Sequence, residues 1–384
     1  MRFAARVHDL IHSPIGAAHA LVPQRENDRP LLDLSQAAPA FPPAPVVSAR
    51  IAEVAGEPDG GRYAPQPGLG PLRDAFAADL NAQYRSDLAA ENVLVTAGCN
   101  QAFCVVASAL AGPGDNAVLI SPHYFNHDMW LRVEGIEVRH LAPGLDLQPD
   151  PDALEGLIDE RTAMVVVVSP GNPSGVTVPP DVLDRIGALT RQRKVALVLD
   201  ETYRMFRGSD EPAHHLFSTP DWGDHVVSLH SFSKDFAIPG YRVGALVGGP
   251  ATIAEALKVL DCVAISAPRI GQEAALAGLR HAQEWRREQV RRISDLEEGF
   301  RSVLGDRPGG FEVVTSGAYF GWVRHDRPDL ATDAVVRRLV LDHDVLVIPG
   351  TAFTIHDDQM IRMSFANLSE DQLPELADRL REFG

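Results

Sequence analysis

A lysine preceded by two serines and followed eight residues later by an arginine sits in the stretch Ser231 to Gly244, SFSKDFAIPGYRVG. The chain has 35 basic residues, of which the lysines are Lys194, Lys234 and Lys258; arginine supplies the rest. An amine that must condense with a carbonyl cannot be exchanged in that way, because a guanidinium stays protonated. Lys194 follows a helical run, and Lys258 lies in the helical pattern TIAEALKVL, so both read as surface charges. Lys234 lies in a serine-rich loop after an apolar run. The hydroxyls of Ser231 and Ser233 and the guanidinium of Arg242 are of the kinds that converge on a phosphate through charge-assisted hydrogen bonds. Read alone, the stretch is equally compatible with a polar loop carrying a surface lysine.

Three apolar runs position this chemistry. AMVVVV (163–168) ends in SPGNPSG and presents Asn172; VALVL (195–199) ends in DETY and presents Asp200 and Tyr203; HVVSLH (225–230) leads into Ser231 and Lys234. Continuous apolar runs of this length are the pattern of strands buried on both faces. Ligands of open α/β sheets collect beyond the carboxyl ends of such strands, so these polar groups should face one crevice. Taken singly, Asp200 also suits a helix cap and Asn172 an ordinary turn.

Earlier in the chain, VLVTAGCNQAFCVVASAL reads as a strand, a glycine turn at Gly98 and a helix beginning near Cys99 and Asn100. A helix N-terminus favours an anion, although a glycine there also fits a simple turn. Tyr124 in SPHYFNH follows a strand and is either a stacking platform or core. Tyr63 lies in the Pro- and Gly-rich stretch RYAPQPGLGPLR, which has the composition of a surface loop. Arg362, flanked by apolar side chains in MIRMSFAN, is costly to bury unpaired and calls for an anionic ligand or an internal acidic partner.

Together these motifs resemble the class I and II aminotransferases, pyridoxal phosphate enzymes of fold type I, and the resemblance extends over most of the chain. It implies that Lys234 carries the cofactor as a Schiff base and moves a proton during turnover, and that Asp200 pairs with the pyridine nitrogen. By the same resemblance Asn172 and Tyr203 bond the phenolic oxygen, and Tyr124 stacks on the ring. Gly98, Cys99, Asn100, Ser231, Ser233 and Arg242 surround the phosphate, with Tyr63 added from the other subunit of a homodimer. Arg362 would grip the substrate carboxylate, with Asn172 and the arm residue Ala37 also at the substrate. Ala37, in LDLSQAAPAFPPAP, stands where the family usually has glycine, and its methyl would narrow the site. The implied reaction is ping-pong transfer of an amino group from an L-amino acid to a 2-oxo acid. A lyase, decarboxylase or oxidase on the same fold is the alternative, since fold does not set reaction type. A non-catalytic regulator that binds the cofactor is a more remote one.

The implied architecture is α/β: a large, mainly parallel sheet flanked by helices, plus a smaller α+β domain. The large domain is expected over 46–275, with 1–45 as an N-terminal arm and 276–384 as the small domain. Within these, a long helix is expected over 271–304, followed by strands at FEVV, AYFGWV and VLVI. With 384 residues, 45% of them apolar, the chain can bury a core of that size. The formal charge of −17 opposes nucleic-acid binding. No apolar run reaches the roughly 18 residues of a membrane helix, and the N-terminus lacks a compact signal pattern, so a cytoplasmic location is expected. Cys99, Cys104 and Cys262 form no CxxC pair, and His12, His127, His214, His215 and His230 show no metal-ligand spacing. No metal is expected, and these histidines read as solvated or core residues.

Overall fold

The structure is a computed structural model that describes residues 1–142 and 144–384. Its strands are β1 (Leu32–Asp33), β2 (Val93–Thr96), β3 (Asn116–Ile120), β4 (Glu137–Leu141), β5 (Thr162–Val168), β6 (Ala196–Asp200) and β7 (Val226–Ser231). There follow β8 (Gly244–Val247), β9 (Phe311–Gly317), β10 (Phe320–His325), β11 (Val345–Leu346), β12 (Ile348–Pro349) and β13 (Met360–Ser364).

The larger sheet has the order β2-β8-β7-β6-β5-β3-β4. All neighbours are parallel except those of β8, which runs against both β2 and β7. Alternate side chains of a strand point to opposite faces, and both faces of this sheet are covered. Val165 and Val167 of β5 pack with Phe76 and Leu80 of helix Gly70–Tyr84 and with Leu183 and Ile186 of helix Pro180–Arg193. Met164 and Val166 pack on the other side with Phe103 of helix Cys99–Leu110 and Leu260 of helix Pro250–Ala264. The three apolar runs read from the sequence are the inner strands β5, β6 and β7. Their carboxyl ends lie side by side.

The smaller sheet is antiparallel, in the order β12-β13-β10-β9. Its core joins Phe300 of helix Gln283–Val303, Leu339 of helix Thr332–His343 and Leu376 of helix Gln372–Phe383 with arm residues Leu32, Leu34, Ala37 and Phe41. Strand β1 pairs in parallel with β11, which anchors the arm to this unit.

Two local expectations are corrected. The helix expected over 271–304 is two helices, Arg269–His281 and Gln283–Val303, broken at Ala282 (φ −119°, ψ 23°). The break redirects the chain, because Ala282 packs in the large-sheet core while Ile293 and Phe300 pack in the small one. The run VLVI is not one strand. Val345 pairs with Leu32 and Ile348 pairs with Arg362, so the chain changes partner at Val347.

Candidate active site

Lys234 lies in the short helix Phe232–Asp235 that directly follows β7. The Ser231 side chain caps this helix, accepting from Ser233 N at 3.2 Å. Lys234 Nζ donates to the carbonyl of Ala37 in the arm. Burial, reinforced by the positive charges of Arg242 and Arg362, lowers its pKa to about 8. A half-buried amine beside two guanidiniums thereby has a larger neutral, nucleophilic fraction near neutral pH than an ordinary lysine.

Asp200 is the last residue of β6 and is 4% exposed. Burial pushes its carboxyl upward, but His127 and Thr202 outweigh that and hold it below the usual carboxylate range. His127 Nε2 stands 3.3 Å from Asp200 Oδ2, and Thr202 N donates to Oδ1 at 3.0 Å. The His127 ring is 2% exposed and stacks on Phe103 with centroids 4.0 Å apart. The result is a buried anion fixed from behind and facing a cavity.

Arg362 sits in β13 and is 1% exposed. Its Nη1 donates to Asn172 Oδ1 at 2.9 Å and its Nη2 to the carbonyl of Ser35. Nε has no hydrogen-bond partner. The rings of Phe320 and Phe353 lie 5.2 and 4.9 Å from the guanidinium carbon. Among the described residues no carboxylate pairs with it, and burial lowers its pKa to about 10. Of the two partners that the sequence left open, the internal acid is absent.

Gly98 has φ +87°, and a Cβ placed there would meet Arg242 Nη2 at 2.3 Å. Arg242 is itself held by the carbonyls of Pro239 (2.9 Å) and Ala97 (3.1 Å). The N-terminus of helix Cys99–Leu110, the β7 loop and Arg242 thus meet at one end of the site.

One cavity of about 320 Å³ is lined by Ala37, Cys99, Asn100, Tyr124, Asn172, Asp200, Tyr203, Ser231, Ser233, Lys234, Arg242 and Arg362. Gly98 abuts it through Arg242. Tyr63 does not reach it: the side chain is 77% exposed and lines a separate depression with Arg62, Ser266 and Arg269. Cys99 is buried, and its thiol is pushed well above its ordinary value by burial and by Asp200. Lys258 pairs with Glu255 on the surface, and Lys194 ends helix Pro180–Arg193 with φ +57°, as expected of surface lysines.

Sequence reasoning missed six residues here. Ile15, Gln36, Val168, Thr202 and Pro239 line the cavity, and His127 supports Asp200. His127 carries a usable signal, since it lies three residues after Tyr124 on a helix and a buried aspartate needs a partner.

The sequence matches the family described as aminotransferase class I and II over residues 29–380. The chain belongs to this family. It is 32% identical over 363 residues to an aromatic aminotransferase of Arabidopsis thaliana, covering 91% of this chain and 89% of that one. It is 30% identical over 329 residues to an aspartate/prephenate aminotransferase of Thermus thermophilus, covering 83% and 82%. Among solved structures, the aspartate aminotransferase of Thermus thermophilus with maleate superposes with a TM-score of 0.90 at 25% identity, over 100% of both chains. The chain is accordingly an aminotransferase that uses pyridoxal phosphate, with an amino acid and a 2-oxo acid as substrates.

Proposed function

We propose that this aminotransferase carries its cofactor on Lys234 and moves an amino group from an L-amino acid to a 2-oxo acid in two half-reactions with ping-pong kinetics. The observation that carries the reading is the meeting of three groups on one cavity, two buried and one half-buried. These are a lysine of lowered pKa, an ionised aspartate and an arginine without an acidic partner.

The donor set suits pyridoxal phosphate. The absent Cβ of Gly98, the start of helix Cys99–Leu110, the hydroxyls of Ser231 and Ser233 and Arg242 make an anion cradle, to which Cys99 and Asn100 contribute backbone N–H groups. Asp200, backed by His127, suits a protonated pyridine nitrogen, and Asn172 and Tyr203 suit the phenolic oxygen. Tyr124 supplies a ring face for stacking. When bound, the cofactor supplies an electron sink for the substrate alpha carbon.

The side chains then divide the work. Arg362 binds the substrate carboxylate in a bidentate grip, aided by Asn172, and Phe320 and Phe353 keep water from the pair. Asp200, an anion facing the cavity, would hold a proton on the pyridine nitrogen of a bound cofactor. Lys234 Nζ, once free, would act as the general base that takes the proton from the substrate's alpha carbon and hands it back during the transfer. Ala37 lies over the substrate and holds Lys234 through its carbonyl.

The same reading includes a homodimer in which Tyr63 of one subunit reaches the phosphate held by the other, which accords with its exposure. It also includes a large domain over 46–275, with 1–45 and 276–384 forming arm and small domain, and a cytoplasmic location. Among the described residues no helix is long and apolar enough to cross a membrane.

Borohydride reduction of the loaded protein, followed by peptide mapping, tests the assignment. The cofactor mass is expected on the peptide containing Lys234, and Lys234→Ala should lose both the label and at least about a thousandfold in turnover. A label on Lys194 or Lys258, or normal turnover in Lys234→Ala, overturns it.

A further inference from the structure

We infer that the amino donor has an uncharged, apolar side chain, aromatic or long aliphatic, seated against Ile15 and Ala37. The inference rests on the proposed roles of Lys234 and Arg362 and extends them to substrate class. Arg362 donates to the carbonyl of Ser35 and Lys234 to the carbonyl of Ala37, so the arm from 35 to 37 runs between the two groups that receive the substrate's carboxylate and amine. A substrate bridging them lies along this stretch, and its side chain faces what the arm presents. The arm presents the methyl of Ala37, the butyl group of Ile15 and the neutral amide of Gln36.

The charges of the cavity point the same way. Its cationic lining is Lys234, Arg242 and Arg362. Lys234 is committed to the cofactor and Arg362 to the alpha-carboxylate. Arg242 is pinned by the carbonyls of Pro239 and Ala97 beside Gly98, at the anion cradle. No cation of this lining remains for a second carboxylate, and the charge of Asp200 opposes one. The rim around Tyr63, which the proposed dimer brings to the site, carries two arginines that are already paired. Arg62 lies 3.0 Å from Asp59, while Arg269 lies 3.4 Å from Glu57 and 3.7 Å from Glu273 and donates to the carbonyl of Asp59 at 2.9 Å. An acidic side chain would have to enter unpaired or break these pairs. An apolar one gains from burial against Ile15 and Ala37.

The test is calorimetric binding of two unreactive analogues to the cofactor-loaded protein. These are 3-phenylpropionate, with one carboxylate and an aromatic tail, and succinate, with a carboxylate at each end. The first is expected to bind at least tenfold more tightly, and phenylalanine to exceed aspartate by about 100-fold in kcat/KM. Equal binding, tighter succinate or no binding of either overturns the inference. The variant Ile15→Arg should shift the affinity ratio toward succinate by about tenfold, and an unchanged ratio contradicts the placement of Ile15. Failure of the aminotransferase reading is separate and is seen when neither amino acid discharges the cofactor. The analogue comparison still decides the subsite in that case.

Discussion

Each reactive side chain owes its state to neighbours distant in sequence. Lys234 is the clearest example. Its ordinary value is 10.5, and burial, followed by the charges of Arg242 and Arg362, lowers it to about 8. Below that pH the amine is protonated and cannot condense with a carbonyl; above it the neutral form dominates. Capture of pyridoxal phosphate by the apoprotein should therefore accelerate between about pH 7 and about pH 9, with a midpoint near 8. Stopped-flow growth of the visible band measures this, and a midpoint near 10 would contradict the buried setting. At this scale Lys234, Asp200 and Asn172 were legible because each follows an apolar run that ends abruptly in polar residues. Arg362 was legible as a charge in an apolar strand, but not the absence of an acid beside it, which depends on β10, the arm and the Phe353 loop. His127 was legible only in part: its place on the helix after Tyr124 was readable, but not that it meets Asp200 across the fold.

Among the elements, the turn between β2 and helix Cys99–Leu110 is the most constrained by the site. Gly98 has φ +87°, and an added Cβ would meet Arg242 Nη2 at 2.3 Å. Gly98→Ala should cost about 1–3 kcal/mol through its backbone alone. Displacing Arg242 should also weaken cofactor binding at least about tenfold, since charge-assisted bonds of this kind contribute roughly 1.5–3 kcal/mol. Thermal melts and cofactor titration separate the two effects. Unchanged affinity would remove Gly98 and Arg242 from the anion cradle. The inner strands β5, β6 and β7 were readable from hydrophobic runs buried on both faces. The break at Ala282 and the partner change at Val347 were not, because apolar periodicity continues through both points. Only the position of the second core shows why the chain must turn there.

At the scale of the molecule, two sheets and an arm enclose one cavity, and the arm takes part in the site through Ser35, Gln36, Ala37 and Ile15. The parallel sheet with its ligand edge was legible, because that edge follows from strand direction. The arm's course was not, since Ala38 to Pro45 reads only as an extended segment. Tyr63 is exposed and lies outside the lining of its own chain's cavity, and the proposed dimer gives it a function. The native mass should be twice 41.6 kDa by light scattering, and a purely monomeric mass would leave Tyr63 outside the site. The central claim is that the bound cofactor stores the amino group between two substrates. It is tested most directly by mixing the loaded protein with phenylalanine alone, in the absence of any 2-oxo acid. The visible band should disappear with release of about one equivalent of 2-oxo acid per active site, and an added 2-oxo acid should restore it. Continuous release of ammonia or carbon dioxide with the band retained would contradict transamination and assign the site to a lyase or decarboxylase.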